Sequence, residues 1–259
     1  MCKVVIFLLF NQYTYARIKL SKGWHMAKEV IVKASTIEKR KKRFSKTKII
    51  LTIILLILIF SFIILSIIYK GGRFTITLDQ RLALDNHIVI YEDSVIKEGK
   101  RKLAARDLEF MDNISIDWIP TNIDTEAEGS HNGENYIAYT FYIENEGEET
   151  VNYWYSIVID DVIKNVDEAT RVMIFLNGEK TVYAKINSYT NEVEEGTVAF
   201  SSKEEAVLEQ RKNFQPGDID KFTIVIWLEG DDPDCTDNLL GGEIKMHMEI
   251  REEYRETNE

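Results

Sequence analysis

Residues 171–186 read RVMIFLNGEKTVYAKI. Two apolar runs flank Asn177-Gly178, and Asn-Gly in that setting is the strongest short-range signal for a β-hairpin. Upstream, Ile137, Tyr139, Phe141 and Ile143 alternate with Ala138, Thr140 and Tyr142. Val151, Tyr153, Tyr155, Ile157 and Ile159 alternate in the same way with Asn152, Trp154, Ser156 and Val158. Period two in β-branched and aromatic residues marks strands. The polar loop 145–149 between these runs holds Gly147 and predicts a second hairpin. Downstream, Phe222, Ile224, Ile226 and Leu228 form one face of a strand, and Ile244, Met246, Met248 and Ile250 one face of the last. At this spacing both sets read as core stripes. Shorter strand candidates are 74–78, 87–91 and 114–119.

Helix signals are few. Residues 165–169 (NVDEA) read as a capped single turn, and 203–212 (KEEAVLEQRK) as two or three helical turns. The sequence Phe214-Gln215-Pro216-Gly217-Asp218 then makes a turn into the next strand. The stretch 125–135 (TEAEGSHNGEN) reads as the most disordered loop. Many strands without βαβ alternation predict a mainly β domain over 70–252, an antiparallel β-sandwich, followed by a polar tail over 253–259.

The chain has 259 residues, with 32 Lys+Arg against 43 Asp+Glu. Residues 1–70 hold 14 basic and 2 acidic residues, and residues 71–259 hold 18 and 41. The composition excludes a collagen, a disulfide-stapled mini-protein and a wholly disordered chain. The strongly acidic second part argues against a nucleic-acid partner.

Between the two charge regimes lies IILTIILLILIFSFIILSIIY, residues 49–69, without a charge, Pro or Gly. As a helix it spans about 31 Å, which matches a hydrocarbon core of about 30 Å. It is longer than a signal-peptide core, and no small-x-small site follows it. The prediction is a retained transmembrane helix. Lys39, Arg40, Lys41, Lys42, Arg43, Lys46 and Lys48 precede it, whereas only Lys70 and Arg73 follow closely. The positive-inside rule therefore puts residues 26–48 in the cytoplasm and 70–252 outside the cell membrane, with the membrane as first partner.

Residues 1–25 contain an apolar run too short to span a bilayer. Lys22-Gly23-Trp24-His25-Met26 must be encoded AAR-GGN-TGG-CAY-ATG. That sets a purine core AARGG seven nucleotides before the Met26 codon, in the manner of a bacterial ribosome-binding site. Translation starting at Met26 is the expectation, with 1–25 a misassigned start; a true N-terminal extension is the alternative.

Motifs of chemistry are sparse. His25, His87, His131 and His247 do not form HExxH, and neither GxSxG, GxxxxGK[ST] nor GxGxxG occurs. His247 lies between Met246 and Met248 and reads as a surface imidazole. Cys235 stands without a supporting motif and reads as structural or a free thiol. Asn113-Ile114-Ser115 matches the short glycosylation sequon. The acidic stretch 227–237 (WLEGDDPDCTD) is the candidate site. Crowded carboxylates repel unless screened, and calcium prefers clustered oxygen ligands. Asp231, Asp232, Asp234 and Asp237 are the candidate ligands of a calcium-type site; a solvated acidic turn is the other reading. No other cofactor and no catalytic residue is expected.

Several strings resemble the TasA/camelysin-like surface proteins of Gram-positive bacteria. They are YTFYIENEG (139–147), NVDEATR (165–171) before a strand and Asn177-Gly178, FQPGD (214–218), WLEGDDPDC (227–235) and Leu240-Gly241-Gly242. The resemblance covers about residues 105–250. It implies a jelly-roll-like β-sandwich at the cell surface and matrix or fibre formation by strand addition between subunits. The basic segment and the long apolar span depart from the family's usual export signal. The leading expectation is a membrane-anchored, non-enzymatic surface domain with a structural or interaction role, related to biofilm matrix. Its partner would be another protein or a second copy, joined by β-strand addition, with 74–78 and 244–250 as the strands involved. The alternative, by family analogy, is an extracellular metallopeptidase of camelysin type.

Overall fold

The computed structural model describes residues 34–70, 73–108 and 110–252. The expected extension 1–25, the start of the basic segment (26–33) and the polar tail 253–259 lie outside the described residues. The chain divides into two units near residue 64.

The first unit is dominated by helix α1, Ala34–Lys70, 37 residues or about 55 Å long. The basic stretch is part of the same helix, so the apolar span of 49–69 sits inside a longer element. It is the one helix among the described residues long and apolar enough to cross a membrane. Every side chain from Ile49 to Leu65 is exposed. A water-soluble helix of this composition would bury a face.

The second unit is mainly β. Its strands are β1 (Thr75–Leu78), β2 (Ile88–Tyr91), β3 (Lys102–Ala104), β4 (Gly129–Ser130), β5 (Tyr136–Asn145), β6 (Val151–Ile163), β7 (Thr170–Leu176), β8 (Glu179–Ala184), β9 (Val198–Ala199), β10 (Glu205–Phe214), β11 (Ile219–Leu228) and β12 (Glu243–Arg251). Two short helices, α2 (Gln80–Leu84) and α3 (Ile123–Glu126), and three 3-10 turns join them. One sheet has the order β10-β6-β12-β1-β3 and the other β2-β5-β11-β7-β8-β9, with β4 beside β5.

The facing sides of the two sheets share a core. Ile76, Tyr153, Ile157 and Met248 come from the first sheet, and Ile90, Phe141, Ile174 and Phe222 from the second. Tyr155 meets Phe222 edge-on across the gap, with ring centroids 5.1 Å apart. The expected stripes are in place: Met246, Met248 and Ile250 are buried, as are Phe222, Ile224 and Ile226. The second sheet is also covered on its outer face, where Ile114, Ile119 and Ile123 pack on Met173, Val225 and Trp227. Burial on both faces explains why β7 and β11 read as nearly continuous apolar runs.

The Asn177-Gly178 hairpin forms as read. Leu176 pairs with Glu179, and φ is 55° at Asn177 and 88° at Gly178, the positive pair that a tight hairpin turn demands. The 214–218 turn is present too, with Gly217 at φ 82°.

Other expectations are corrected. Residues 145–149 do not close a hairpin, because β5 and β6 belong to different sheets. The loop is instead an arch between sheets, held by the buried Asn145 side chain, which donates to Glu149 O at 2.9 Å and Phe214 O at 3.0 Å. A Cβ on Gly147 would lie 2.4 Å from Asn86 O, so the arch needs glycine there. Residues 205–214 are strand β10, not helix. Their composition favours helix, but pairing with β6 and burial of Ala206, Val207 and Phe214 prevail. Within 114–119, Ile114 makes a single bridge to Glu229 and 116–118 form a 3-10 turn. The stretch 125–135 is tied down: Asn132 donates to Arg106 O and accepts from Ala138 N, and His131 Nε2 lies 3.0 Å from Thr140 Oγ1.

The sheets are not purely antiparallel, since β1 runs parallel to β12 and β8 to β9. Nor are 74–78 and 244–250 free edges. β12 lies between β6 and β1, and β1 between β12 and β3. The edges of the first sheet are β10, ten residues long, and β3, three residues long.

Candidate functional site

Strand β11 delivers the acidic stretch. Its end is fixed by Trp227, fully buried, whose Nε1 donates to Glu229 Oε2 at 3.0 Å. The same oxygen accepts from Ile116 N at 3.1 Å, and Glu229 Oε1 from Asp231 N at 3.3 Å. Glu229 thus spends its charge on local donors and folds the following turn back.

The turn then buries Asp232 and Asp234 and leaves Asp231 and Asp237 exposed. Asp232 Oδ2 accepts from Arg171 Nη2 on β7, a buried ion pair. Asp232 Oδ1 accepts from Asp234 N at 2.7 Å. Asp234 in turn receives Ser188 N at 3.0 Å and the Ser188 hydroxyl. Ser188 belongs to the loop after β8, and this loop also brings Glu194, whose Oε1 accepts from Asn187 Nδ2 at 2.7 Å. One carboxylate oxygen from each of Glu194, Asp232 and Asp234 lies within 4.8 Å of the others.

Of the four expected ligands, the structure therefore joins Asp232 and Asp234 and leaves Asp231 and Asp237 outside the group. Glu194 is the member that sequence reasoning missed. It lies about 40 residues upstream, in an acidic loop (Glu192, Glu194, Glu195) that only the β7–β8 hairpin carries to this end. Arg171 left a clearer trace, since an arginine opening an apolar strand calls for a buried partner.

Three carboxylates face one guanidinium here. Glu194, Asp232 and Asp234 could hold a hard cation by number and proximity, with Arg171 as its competitor at Asp232. Cys235 follows directly and is half-buried. Burial first, and then the charges of Asp232 and Glu229, push its thiol pKa up, which disfavours the nucleophilic thiolate. Next to the cluster, Lys185 reaches Asp167 at 2.6 Å and Glu168 at 2.7 Å. Burial pulls its pKa down, but the two carboxylates outweigh it and the net shift is upward.

The opposite end of β11 has a different balance. Asp220 is buried and accepts from Tyr153 Oη at 2.6 Å, Asn177 Nδ2 at 2.7 Å and Arg211 Nε at 2.9 Å. One charge thus meets three donors, from β6, the 177–178 turn and β10. Burial and the Asp220 charge hold the Tyr153 hydroxyl well above its ordinary pKa.

No protein-family model matches the chain, and no curated protein matches it. Among solved structures, a β-glucosidase from Kluyveromyces marxianus in complex with glucose aligns at 12% identity with a TM-score of 0.23, covering 65% of this chain and 15% of that one. A selenomethionine-labelled form of the β-glucosidase from the same organism aligns at 12% identity with a TM-score of 0.21, covering 62% and 16%. The chain thus spans about a sixth of the length of these neighbours, and likeness at this level carries no argument about fold or activity.

Proposed function

We propose that the chain is a single-pass membrane protein whose C-terminal unit, a jelly-roll-like β-sandwich, serves a structural or interaction role at a bacterial cell surface. The observation that carries this reading is the apolar helix Ile49–Leu65, exposed on every face and preceded by a run of Lys and Arg. A bilayer satisfies that surface, and the basic flank sets the N-terminal side as cytoplasmic. The resemblance to TasA/camelysin-like proteins supports a surface role related to biofilm matrix.

Partner binding is assigned to β10. It is the longer of the two edges of the first sheet, ten residues against three in β3, and strand addition needs such an edge. Its register shifts and its polar residues Glu209, Gln210, Arg211 and Lys212 guard against indiscriminate pairing. Lys203 and Lys212 bracket the strand, so amine-reactive cross-linking on intact cells reads it out. The expected result is a peptide of a partner, or of a second copy, joined to Lys203 or Lys212. Links confined to other lysines would contradict it.

A further inference from the structure

The strand registers sort the loops of the second unit into two ends. β1 runs parallel to β12, Thr75 pairing with His247 midway along it, so the chain enters from the side on which β12 begins. β6 finishes at that end, Ile163 pairing with Glu243, and β7 begins there after the short 3-10 turn Val166–Glu168. β11 ends beside the start of β7 and of β5, and β8 ends beside Arg171. The loops 110–126, 185–197 and 229–242 therefore gather at the entry end.

These loops carry an unusual surface. Trp118 is 73% exposed, Phe110 70%, Tyr189 70%, Leu240 69% and Val193 51%. Phe110, Trp118 and Tyr189 are the exposed aromatic side chains of this unit among the described residues, and Val193 and Leu240 are exposed aliphatic residues of the same loops. Among the described residues away from the entry end, Leu84, Val95, Ile96 and Ile219 are exposed, the loop of Val95 and Ile96 being tied to Glu144 through Lys97, but no Phe, Tyr or Trp ring is. Packing does not explain the exposure of Trp118, since its neighbours Ile116 and Ile119 join the second core and it does not.

We infer that the entry-end loops rest on the lipid surface of the bilayer that α1 crosses, with Trp118, Tyr189 and Phe110 in the headgroup layer. The inference rests on the anchored reading proposed above. The chain from Lys70 to Arg73 can reach at most about 11 Å when fully extended. The headgroup layer is about 5–8 Å thick on each side, so the tether cannot lift the entry end far beyond it. Trp and Tyr favour that layer, where an apolar ring meets lipid and its N–H or O–H meets water. The same end exposes Asp117, Glu192, Glu195, Asp231 and Asp237. These carboxylates select zwitterionic headgroups over anionic ones.

The test uses the full chain in zwitterionic nanodiscs, with and without lipids brominated just below the headgroup. Trp118 emission is the difference between wild type and Trp118→Phe, an exposed position where the fold is indifferent to the change. Quenching of that difference emission by brominated lipid, at least twofold, is expected, together with weaker quenching by aqueous iodide. Adding anionic lipid should reduce the lipid quenching. Trp118 emission unaffected by brominated lipid, in a chain that purifies with the discs, overturns the inference and leaves the anchor intact. A chain that does not enter the discs overturns the anchored reading and the inference with it.

Discussion

The two ends of β11 each bury a carboxylate against an arginine, yet they are built differently. At Asp220, one charge receives three donors from three elements, and nothing is left over. At Asp232, a single guanidinium stands among Asp232, Asp234 and Glu194, and the remaining donors are Ser188, Asn187 and a backbone N–H. A balanced node of the first kind ties β6 to β11 across the core. A node of the second kind holds two loops to β7 and keeps a negative surplus. Buried charge without equal counter-charge is costly, so the Asp232 end is where a cation has something to act on.

The largest expected effect follows from that surplus. Arg171→Met leaves Asp232 buried without its cation and costs about 3–5 kcal/mol, a drop in Tm of roughly 10 °C. A loss no larger than that of a surface substitution would show that Arg171 is not what holds this end. Asp220→Ala strands three donors and is expected to cost about 2–3 kcal/mol. Thermal melts of both variants side by side measure the contrast directly.

Calcium is expected to discriminate between the ends. With calcium at about five times its Kd, Tm of the wild type rises by about 2–4 °C, corresponding to roughly 1 kcal/mol of linkage. Glu194→Gln removes the rise, and Asp220→Asn retains it. A Tm indifferent to calcium and EDTA assigns the cluster to Arg171, Ser188 and backbone donors alone.

The smallest effect lies away from both ends and serves as a control. His247 sits between Asp160 at 2.8 Å and Glu249 at 3.1 Å, half-buried where the sequence suggested a surface imidazole. Hydrogen bonding to Glu249 first, and to Asp160, outweighs burial and raises its pKa. A raised folded-state pKa stabilises fully below the unfolded value of about 6.5 and loses that contribution as pH rises through the folded one. His247→Asn should therefore lower Tm by about 2–4 °C at pH 5 and by less at pH 8.5. An equal deficit at both pH values would mean that only packing was lost.

Local chemistry was legible in the sequence wherever it acts alone. Asn177-Gly178 fixed its own turn, and the stripes in β6, β11 and β12 fixed their buried faces. Pairing across the chain was not legible. The arch at 145–149 looks like a hairpin because polar, Gly-containing loops serve both, and only Asn145 reaching Phe214 distinguishes them. β10 looks helical because Glu, Gln, Lys and Arg tolerate an edge strand once a neighbour supplies hydrogen bonds. The candidate site divides in the same way. Asp232 and Asp234 were visible as a local run, whereas Glu194 and Arg171 join them only through the β7–β8 hairpin.

The most direct test of the anchored surface reading is the N-terminal sequence and location of the mature protein in its native host, combined with protease treatment of intact cells. The account predicts a chain that begins near Met26, sediments with membranes and loses its C-terminal unit to external protease. A chain that begins near residue 70 and is recovered from the medium, or a C-terminal unit protected in intact cells, would contradict it.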